Sequence, residues 1–553
     1  MSLSYSSPRG DTIPHRGAVV GFGALLISIA VFPAFFHDLW NPDEPRVAHI
    51  AQSMAHSGDW VVQRVNGAPW AEQPPLHAWL LASFFTLFGS GFGKDWVARI
   101  PTMLFGIAMI VLVYRLGMRY WGRRVGFLAA VLLATTGEFF VGYQRAIVDT
   151  SLAFFVTLAL AQLLEVAWRD DEPLPWWRAI VLGAVAGLSF LSKNLIGVTF
   201  IGLVFCGAAA CAPRCFFRRA TVFRLSVAAL VAISVVAPWM IALIARDPGS
   251  LHELLVENTI GRFQRQDIHN PPRLEFLHRA AAVLLPWLPL AIWELARNAR
   301  AFITRSKETD NGRVRVGMVV LSWAILPAAL VLASGSKREI YLLPMTPAVA
   351  LAASVWLARH LDNRVVNLTA GGLVAVISIA LPLLALFGGF WANTVPWPVW
   401  VYLVVALALV YRLVRHRRSR RPGDLTWVAL SMLLCALGAG SLVFFKARNG
   451  RESYVRLCED LRALRGSGFR LVGVSLPLRD ASAIPYYLDG PIEHQDPSDN
   501  LRELLRPDHP PVALVFRASI KSEVLQGTEY FNIGDYRVRR VLRVVSNRLP
   551  QKK

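Results

Sequence analysis

Apolar runs near the length that a lipid bilayer requires recur along most of the chain. They lie at about 17–36, 96–117, 125–142, 148–168, 178–193, 195–212, 222–245, 279–297, 313–334, 340–359, 367–391, 396–412 and 425–446. A run of about 20 apolar residues spans a membrane as a helix. Hydrophobic residues make up 54% of the 553 residues, which is too many for a soluble chain of this size. The sequence therefore predicts an all-α polytopic membrane protein with about 13 transmembrane helices.

The basic residues, which give the chain a formal net charge of +21, cluster between the apolar runs. Lys and Arg are enriched in the cytoplasmic loops of membrane proteins, so topology explains this charge and we predict no nucleic-acid partner. If the N-terminus is cytoplasmic, the cytoplasmic loops include the most basic ones, 115–124, 214–219, 297–315 and 412–421. An odd number of spans then places the C-terminal region outside. The first run has no convincing signal-peptide cleavage site and is predicted to remain as a helix.

Two loops on the predicted outer side are long, at about 37–95 and 246–278. Residues 46–56 carry apolar side chains at helical spacing, which predicts an amphipathic helix lying on the membrane interface. Residues 76–88 are apolar but short for a span, and we predict a second interfacial helix there. Two long polar loops on one face are where a functional site is expected.

From about residue 447 the pattern changes to that of a small α/β domain of about 100 residues. Helices are predicted at 452–464 and 500–505, and strands at 469–476, 512–517 and 536–545. We therefore divide the chain into a transmembrane domain, 1–446, and a C-terminal domain, 447–553. The latter has no Gly-rich phosphate loop and no defensible Ser/His/Asp grouping, so we predict a capping or acceptor-positioning module.

The stretch Asn41-Pro42-Asp43-Glu44-Pro45-Arg46 sets two carboxylates just outside the first apolar run. Ionised groups are costly to hold near the low dielectric of a membrane. The simplest explanation is that this charge does chemistry, or binds a cationic or phosphate-bearing partner through an Arg or a metal.

These residues also carry a family resemblance. Together with Ser57-Gly58-Asp59-Trp60, Asn66-Gly67 and Glu72-Gln73-Pro74-Pro75-Leu76, the stretch resembles the first outer loop of bacterial protein O-mannosyltransferase-like enzymes and, more narrowly, of the lipid A aminoarabinose transferases. The similarity extends to Tyr143 through Asp149, Ser192-Lys193, Gly261-Arg262-Phe263 and Ser336-Lys337 through Pro344. The resemblance implies a GT-C membrane glycosyltransferase of the bacterial inner membrane. Its active site and C-terminal domain would be periplasmic, and a polyprenyl-phosphate sugar would be the donor.

One position departs from the family pattern. Many relatives have Glu-Lys-Pro where this chain has Glu72-Gln73-Pro74, and the Lys suits a phosphate. A neutral amide cannot replace that cation, so another base must bind the phosphate. The candidates in the sequence are Arg46, Lys193, Arg262 and Lys337.

The chemistry implied by the resemblance needs a carboxylate near the attacking oxygen and cations near the departing phosphate. We predict Asp43 as the catalytic carboxylate, with Glu44 as a second catalytic candidate; the competing interpretations are a helix N-cap for Asp43 and a first-turn acid for Glu44. The predicted substrate-binding residues are Arg46, Glu72, Asp149, Lys193, Arg262, Lys337 and Tyr341. Their competing roles are helix caps, snorkelling cations and interface-belt aromatics.

No cofactor is predicted firmly. A divalent metal is an open possibility, for which Glu72, His252 and His269 are weak candidate ligands, because residues of these types hold metals but their spacing has no signature.

The resemblance thus implies transfer of an amino sugar, 4-amino-4-deoxy-L-arabinose or similar, from undecaprenyl phosphate to a lipid A phosphate. Masking that phosphate weakens the binding of cationic peptides such as polymyxin. One alternative is the same fold transferring a hexosamine, mannose or arabinose to a protein or glycan. The other is a lipid-linked-sugar transporter or flippase, which we would expect to show charges within its spans or inverted repeats. The sequence shows neither feature, and this favours an enzyme.

Overall fold

A computed structural model describes residues 37–40, 42–91, 93–169, 172–261, 271–304, 311–361, 398–415, 424–495, 501–517, 530–538 and 540–549, together with isolated positions outside these ranges. The predicted runs 17–36 and 367–391 lie outside these described ranges.

Helices make up most of the described chain. They are α1 (Asp43–Ser57), α2 (Leu76–Phe88), α3 (Ile100–Trp121), α4 (Arg123–Ala134), α5 (Gly137–Gly142), α6 (Asp149–Trp168), α7 (Trp176–Lys193), α8 (Leu195–Cys211), α9 (Pro213–Phe216), α10 (Arg219–Arg246), α11 (Gly249–His252), α12 (Arg273–Leu284), α13 (Leu288–Ile303), α14 (Asn311–Ala333), α15 (Thr346–His360), α16 (Pro398–Arg415), α17 (Asp424–Glu452), α18 (Val455–Gly466), α19 (Leu478–Leu488) and α20 (Leu501–Leu504). Short 3-10 helices, Val97–Arg99 and Glu339–Met345, precede α3 and α15, and a π-helical segment, Glu253–Gly261, follows α11.

Five helices in the described part of the chain are long and apolar enough to cross a membrane: Val97–Trp121, Asp149–Trp168, Arg219–Arg246, Gly312–Ala333 and Glu339–His360. The bent pair α12 and α13 would make a sixth span. The other predicted runs within the described residues also coincide with helices, namely α4 with α5, α7, α8, α16 and α17.

Two predicted spans are not single straight helices. The run 125–142 is divided into α4 and α5 at Thr135. The run 279–297 bends by 98° between α12 and α13. Pro286 lies at this bend and has no backbone N–H to continue the helical ladder, so the break has a local chemical cause. Apolar length alone does not reveal such breaks.

Small residues set the close packing of α7 against α10. A Cβ on Gly183 would lie 2.2 Å from the carbonyl oxygen of Ala228, and one on Gly187 would lie 2.8 Å from that of Ala232. The two backbones approach closely only because these positions carry no side chain.

The C-terminal part contains a five-stranded sheet with the order β4-β3-β5-β7-β6. The strands are β3 (Arg470–Val474), β4 (Glu493–Gln495), β5 (Val512–Arg517), β6 (Phe531–Val538) and β7 (Arg540–Ser546). A separate small hairpin, between α1 and α2, consists of β1 (Arg64–Val65) and β2 (Ala68–Pro69). Strand β3 runs parallel to β4 and β5, whereas β7 is antiparallel to β5 and β6. The predicted strands 469–476 and 512–517 are confirmed.

Other expectations for this part were wrong in detail. The stretch 536–545 is not one strand: residues 536–538 end β6 and residues 540–545 belong to β7, with Val538 paired with Arg540. The predicted helix 452–464 begins at Val455, and α17 continues to Glu452 across the predicted boundary. Helix α19 was not predicted from the sequence. The division of the chain at residue 447 stays a prediction.

The amphipathic helix predicted in the first outer loop is α1, but its apolar face packs on protein and not on lipid. Val47, Ile50 and Met54 are each 5% exposed or less, and they belong to one core with residues of α2 and of the C-terminal part. The expectation of an interface helix was wrong because an apolar stripe does not show whether protein or lipid covers it.

Candidate functional site

The site is built around the first residue of α1, Asp43. Its carboxylate is bound on two sides by guanidinium groups. Arg338 donates from Nη2 to Oδ2 at 2.5 Å and from Nη1 to Oδ1 at 3.4 Å. Arg46, one turn along α1, donates from Nη2 to Oδ1 at 3.1 Å. The competing interpretation of Asp43 as an N-cap is not what the structure shows, because Pro42 occupies the cap position and no side-chain cap hydrogen bond is formed.

The electrostatics of Asp43 follow from these contacts. Burial by itself would raise the pKa of this carboxyl group. Arg338, and after it Arg46 and Arg145, act in the opposite direction and hold the pKa of Asp43 well below its usual range. The side chain is 14% exposed, so an ionised carboxylate sits in a nearly closed pocket of cations.

Arg46 joins Asp43 to a second predicted residue. Its Nη1 lies 3.2 Å from Oε2 of Glu72, and its guanidinium lies over the ring of Trp70 at 5.4 Å from the centroid. The Trp70 to Leu76 stretch is held by Gln63, whose side-chain amide donates to the carbonyl oxygen of Gln73. The structure therefore brings Asp43, Arg46 and Glu72 together, as their prediction in one site requires.

A second ion pair joins two further predicted residues. Lys193, at the end of α7, lies 2.5 Å from Oδ1 of Asp149, at the start of α6. The ammonium group of Lys193 also lies over the ring of Tyr341, at 4.6 Å from the centroid. Arg338 is within electrostatic reach of Asp149 and Tyr341 as well as of Asp43. The two ion pairs are thus parts of one site.

Glu44 is placed differently from Asp43. It is fully buried, and both carboxylate oxygens accept hydrogen bonds. Oε1 accepts from Arg99 Nε at 3.1 Å and from the backbone N–H of Ala146 at 2.8 Å, while Oε2 accepts from the backbone N–H of Trp40 at 2.9 Å. Burial would raise the pKa of Glu44, but Arg99 and these donors hold it below its usual value. Such contacts favour a positioning role, and its catalytic assignment stays a prediction.

Sequence reasoning missed three cations. Arg338 follows the predicted Lys337 directly, and adjacent basic residues in a loop do not show which of them faces the site. Arg145 lies within the Tyr143 to Asp149 motif; it is in electrostatic reach of Asp43 and Glu44, and its Nε has no hydrogen-bond partner among the described residues. Arg99 stands at the start of an apolar run, where a snorkelling residue is the usual interpretation.

The remaining predicted residues are placed as follows. Lys337 is 7% exposed. Arg262 and His269 lie outside the described residues. The imidazole of His252 is 69% exposed and lies 4.0 Å from Glu257. Among the described residues, no group of three or more His, Cys, Asp or Glu side chains is arranged to hold a metal ion. The metal therefore stays an untested possibility.

The chain is similar to known proteins in sequence and in fold. Residues 72–240 match the family model described as dolichyl-phosphate-mannose-protein mannosyltransferase. An undecaprenyl phosphate-alpha-4-amino-4-deoxy-L-arabinose arabinosyl transferase of Pseudomonas aeruginosa is 29% identical over 66% of this chain, and the match spans 64% of the length of that relative. A transferase of the same name from Pseudomonas fluorescens is 28% identical over 76% of this chain and 75% of its own length.

Solved structures show the fold. ArnT from Cupriavidus metallidurans, bound to undecaprenyl phosphate, superposes with a TM-score of 0.77 at 21% identity, covering 96% of this chain and 98% of that one. The Archaeoglobus fulgidus oligosaccharyltransferase reaches a TM-score of 0.52 at 14% identity, over 91% of this chain and 69% of that one.

These matches confirm the predicted resemblance and the predicted fold, which is a GT-C membrane protein with a small sheet domain near the C-terminus. Together with the apolar helices described above, they support a multi-pass membrane protein.

Proposed function

We propose that this protein transfers 4-amino-4-deoxy-L-arabinose, or a similar amino sugar, from undecaprenyl phosphate to a lipid A phosphate at the periplasmic face of the bacterial inner membrane. The observation that carries the proposal is the Asp43 carboxylate held between Arg338 and Arg46, beside the Asp149–Lys193 pair. The names of the Pseudomonas relatives and the ligand of the Cupriavidus structure support this choice of donor.

The reaction breaks the bond between the anomeric carbon of the sugar and the phosphate oxygen. The bonding electron pair leaves with undecaprenyl phosphate, whose negative charge grows as the bond lengthens. Donors fixed at the place where charge develops lower the barrier of such a step. We assign Arg338 and Arg145 to this phosphate, because Gln73 is neutral and the buried Nε of Arg145 makes no hydrogen bond with the described residues.

An oxygen of the lipid A phosphate attacks the anomeric carbon from the opposite side, which gives inversion. This oxygen is already ionised near neutral pH, so the acceptor needs little proton abstraction. Asp43 then orients the nucleophile and the sugar, and a donor phosphate that recruits Arg338 frees an oxygen of Asp43 for this task. Asp149 and Glu72 are two further carboxylates of this site, and we assign them to the ammonium group of an amino sugar.

The test is a mass measurement on lipid A. The gene would be expressed in cells that lack their own aminoarabinose transferase, and we expect lipid A carrying one added amino-pentose. Asp43→Asn should abolish the product, whereas Glu275→Gln, which removes an exposed carboxylate in the first turn of α12 that is paired only with Arg279 among the described residues, should not. Equal product from Asp43→Asn and the unchanged protein would remove Asp43 from the reaction.

The same experiment addresses the rival within the fold. The neutral Gln73 and the mannosyltransferase family model leave another sugar or acceptor open. Lipid A of unchanged mass, together with a hexose added to a protein or glycan, would establish that rival and overturn our proposal.

A further inference from the structure

The C-terminal part of the chain docks directly on the helix that carries Asp43. The side-chain amide of Gln52, on the third turn of α1, donates to the backbone carbonyl of Tyr486 at 3.1 Å and to Oδ1 of Asp489 at 2.9 Å. Asn66, in the β1–β2 turn, exchanges two hydrogen bonds with the backbone of Ile492, at 3.1 and 3.2 Å. Paired amide contacts of this kind fix the orientation of two surfaces as well as their distance.

One hydroxyl group of α19 lies at the centre of this interface. The oxygen of Tyr487 accepts a hydrogen bond from the backbone N–H of Leu39 at 3.0 Å, and its hydrogen is donated to Oδ2 of Asp95 at 2.8 Å. Tyr487 is fully buried. A single side chain of the C-terminal part therefore ties the segment before α1 to the loop before α3.

Hydrogen bonds connect the segment 37–40, which Tyr487 restrains, to the start of α1. The carbonyl oxygens of His37 and Asp38 accept from Arg99 at 2.8 and 2.9 Å, and Arg99 binds Glu44. The N–H of Trp40 donates to Glu44, and the N–H of Glu44 donates back to the carbonyl of Trp40 at 3.3 Å. Glu44 is the covalent neighbour of Asp43.

We propose that Tyr487 is a positioning residue, through which the C-terminal domain sets the location of Asp43 for the transfer step. The proposal rests on the function proposed above. It assigns to the C-terminal domain a role in the chemistry at Asp43. Tyr487 acts through Leu39, Arg99 and Glu44, and needs no contact with donor or acceptor.

The variant Tyr487→Phe removes only the hydroxyl group and leaves the buried N–H of Leu39 without its acceptor. A misplaced Asp43 should slow the transfer step without weakening donor binding. With undecaprenyl phosphate-aminoarabinose as donor and lipid A as acceptor in detergent micelles, we expect kcat to fall roughly tenfold, while KM for the donor changes by less than about twofold.

Two further variants separate positioning from general damage. Tyr536→Phe removes a hydroxyl of the same domain that is bonded to Asp460 and makes no hydrogen bond to α1 or to residues 37–40, and it should leave kcat unchanged. Gln52→Met keeps the length of the side chain but removes two docking contacts, and it should lower kcat in the same direction as Tyr487→Phe.

Hydrogen exchange supplies a readout that does not depend on activity. In the full-length protein, amides of residues 37–50 should exchange faster in Tyr487→Phe than in the unchanged protein, and not in Tyr536→Phe. Unchanged exchange would overturn the proposal, whether or not transfer is detected. Faster exchange with unchanged kcat would also overturn it, because the segment would then be held without effect on the chemistry. Faster exchange in a protein that transfers no aminoarabinose would instead refute the proposed function and retain the mechanical link.

Discussion

Replacing Arg338 by Gln tests the site most directly. The guanidinium group meets both oxygens of Asp43, but only one contact is short, at 2.5 Å against 3.4 Å. If the same group binds the departing phosphate, one strong charge-assisted hydrogen bond is lost in the variant, which is worth about 3 kcal/mol at most. Since about 1.4 kcal/mol corresponds to a tenfold change in rate, we expect kcat to fall by roughly 10²-fold.

Two further variants, one at Arg338 and one at a control position, sharpen the test. Arg338→Lys keeps the charge but not the fork, so it should lose roughly tenfold in kcat. As a control, Arg279→Gln removes an arginine of α12 that is 53% exposed and paired with Glu275 and Glu339, and it should leave kcat within about twofold. Initial rates with undecaprenyl phosphate-aminoarabinose and lipid A in micelles would measure all three.

The pH dependence gives an independent check. Arg338 is the main cation that lowers the pKa of Asp43 against the effect of burial. Removing it should raise that pKa, and the acid limb of the kcat/KM profile should move to higher pH. A kcat for Arg338→Gln within threefold of the unchanged protein, with no movement of the acid limb, would show that Arg338 neither binds the phosphate nor controls Asp43.

Three further predictions concern the buried charges. Glu44→Gln leaves Arg99 without its ion pair in a fully buried site and should lower the unfolding free energy by about 3 kcal/mol, seen as a lower melting temperature in detergent. Burial raises the pKa of Asp95 to about 7, so its folded form binds the proton more tightly; stability should fall by up to about 1.4 kcal/mol per pH unit from about pH 4 to 7, and Asp95→Asn should remove this slope. Asp149→Asn and Lys193→Met should each reduce transfer, and the double variant should be no worse than either single one if they act as a pair.

Part of the site was predictable from short motifs. Asp43, Arg46 and Glu72 belong to two stretches of the predicted first outer loop with recognisable order, and the structure brings them into contact. The Asp149–Lys193 pair joins residues 44 positions apart, each predicted for the site but not as partners. Pairing across helices depends on how their ends meet, which local spacing does not encode.

The course of the backbone determines which of two neighbouring residues of like charge faces the site. Lys337 and Arg338 are equivalent by charge and position in the sequence, yet Arg338 is the one that meets Asp43. Asp43 and Glu44 are likewise adjacent acids. One turns to the cationic pocket and the other to Arg99 in the interior, because successive residues of a helix point about 100° apart.

The sequence by itself determined the membrane class, the positions of most helices, the strands β3 and β5, and the loop that carries the acidic site. These features follow from local patterns, namely the length of the apolar runs, the alternation of apolar and polar residues, and the order of short motifs. Each of these patterns can be recognised within a short stretch of the chain. Only the tertiary structure decided that the apolar face of α1 is covered by the C-terminal part, that Tyr487 reaches Leu39 across 448 positions, and that Arg338 holds Asp43. The physical reason is that burial and ion pairing depend on which distant surfaces meet, and an amphipathic stripe or a charged side chain is compatible with several partners until the fold selects one.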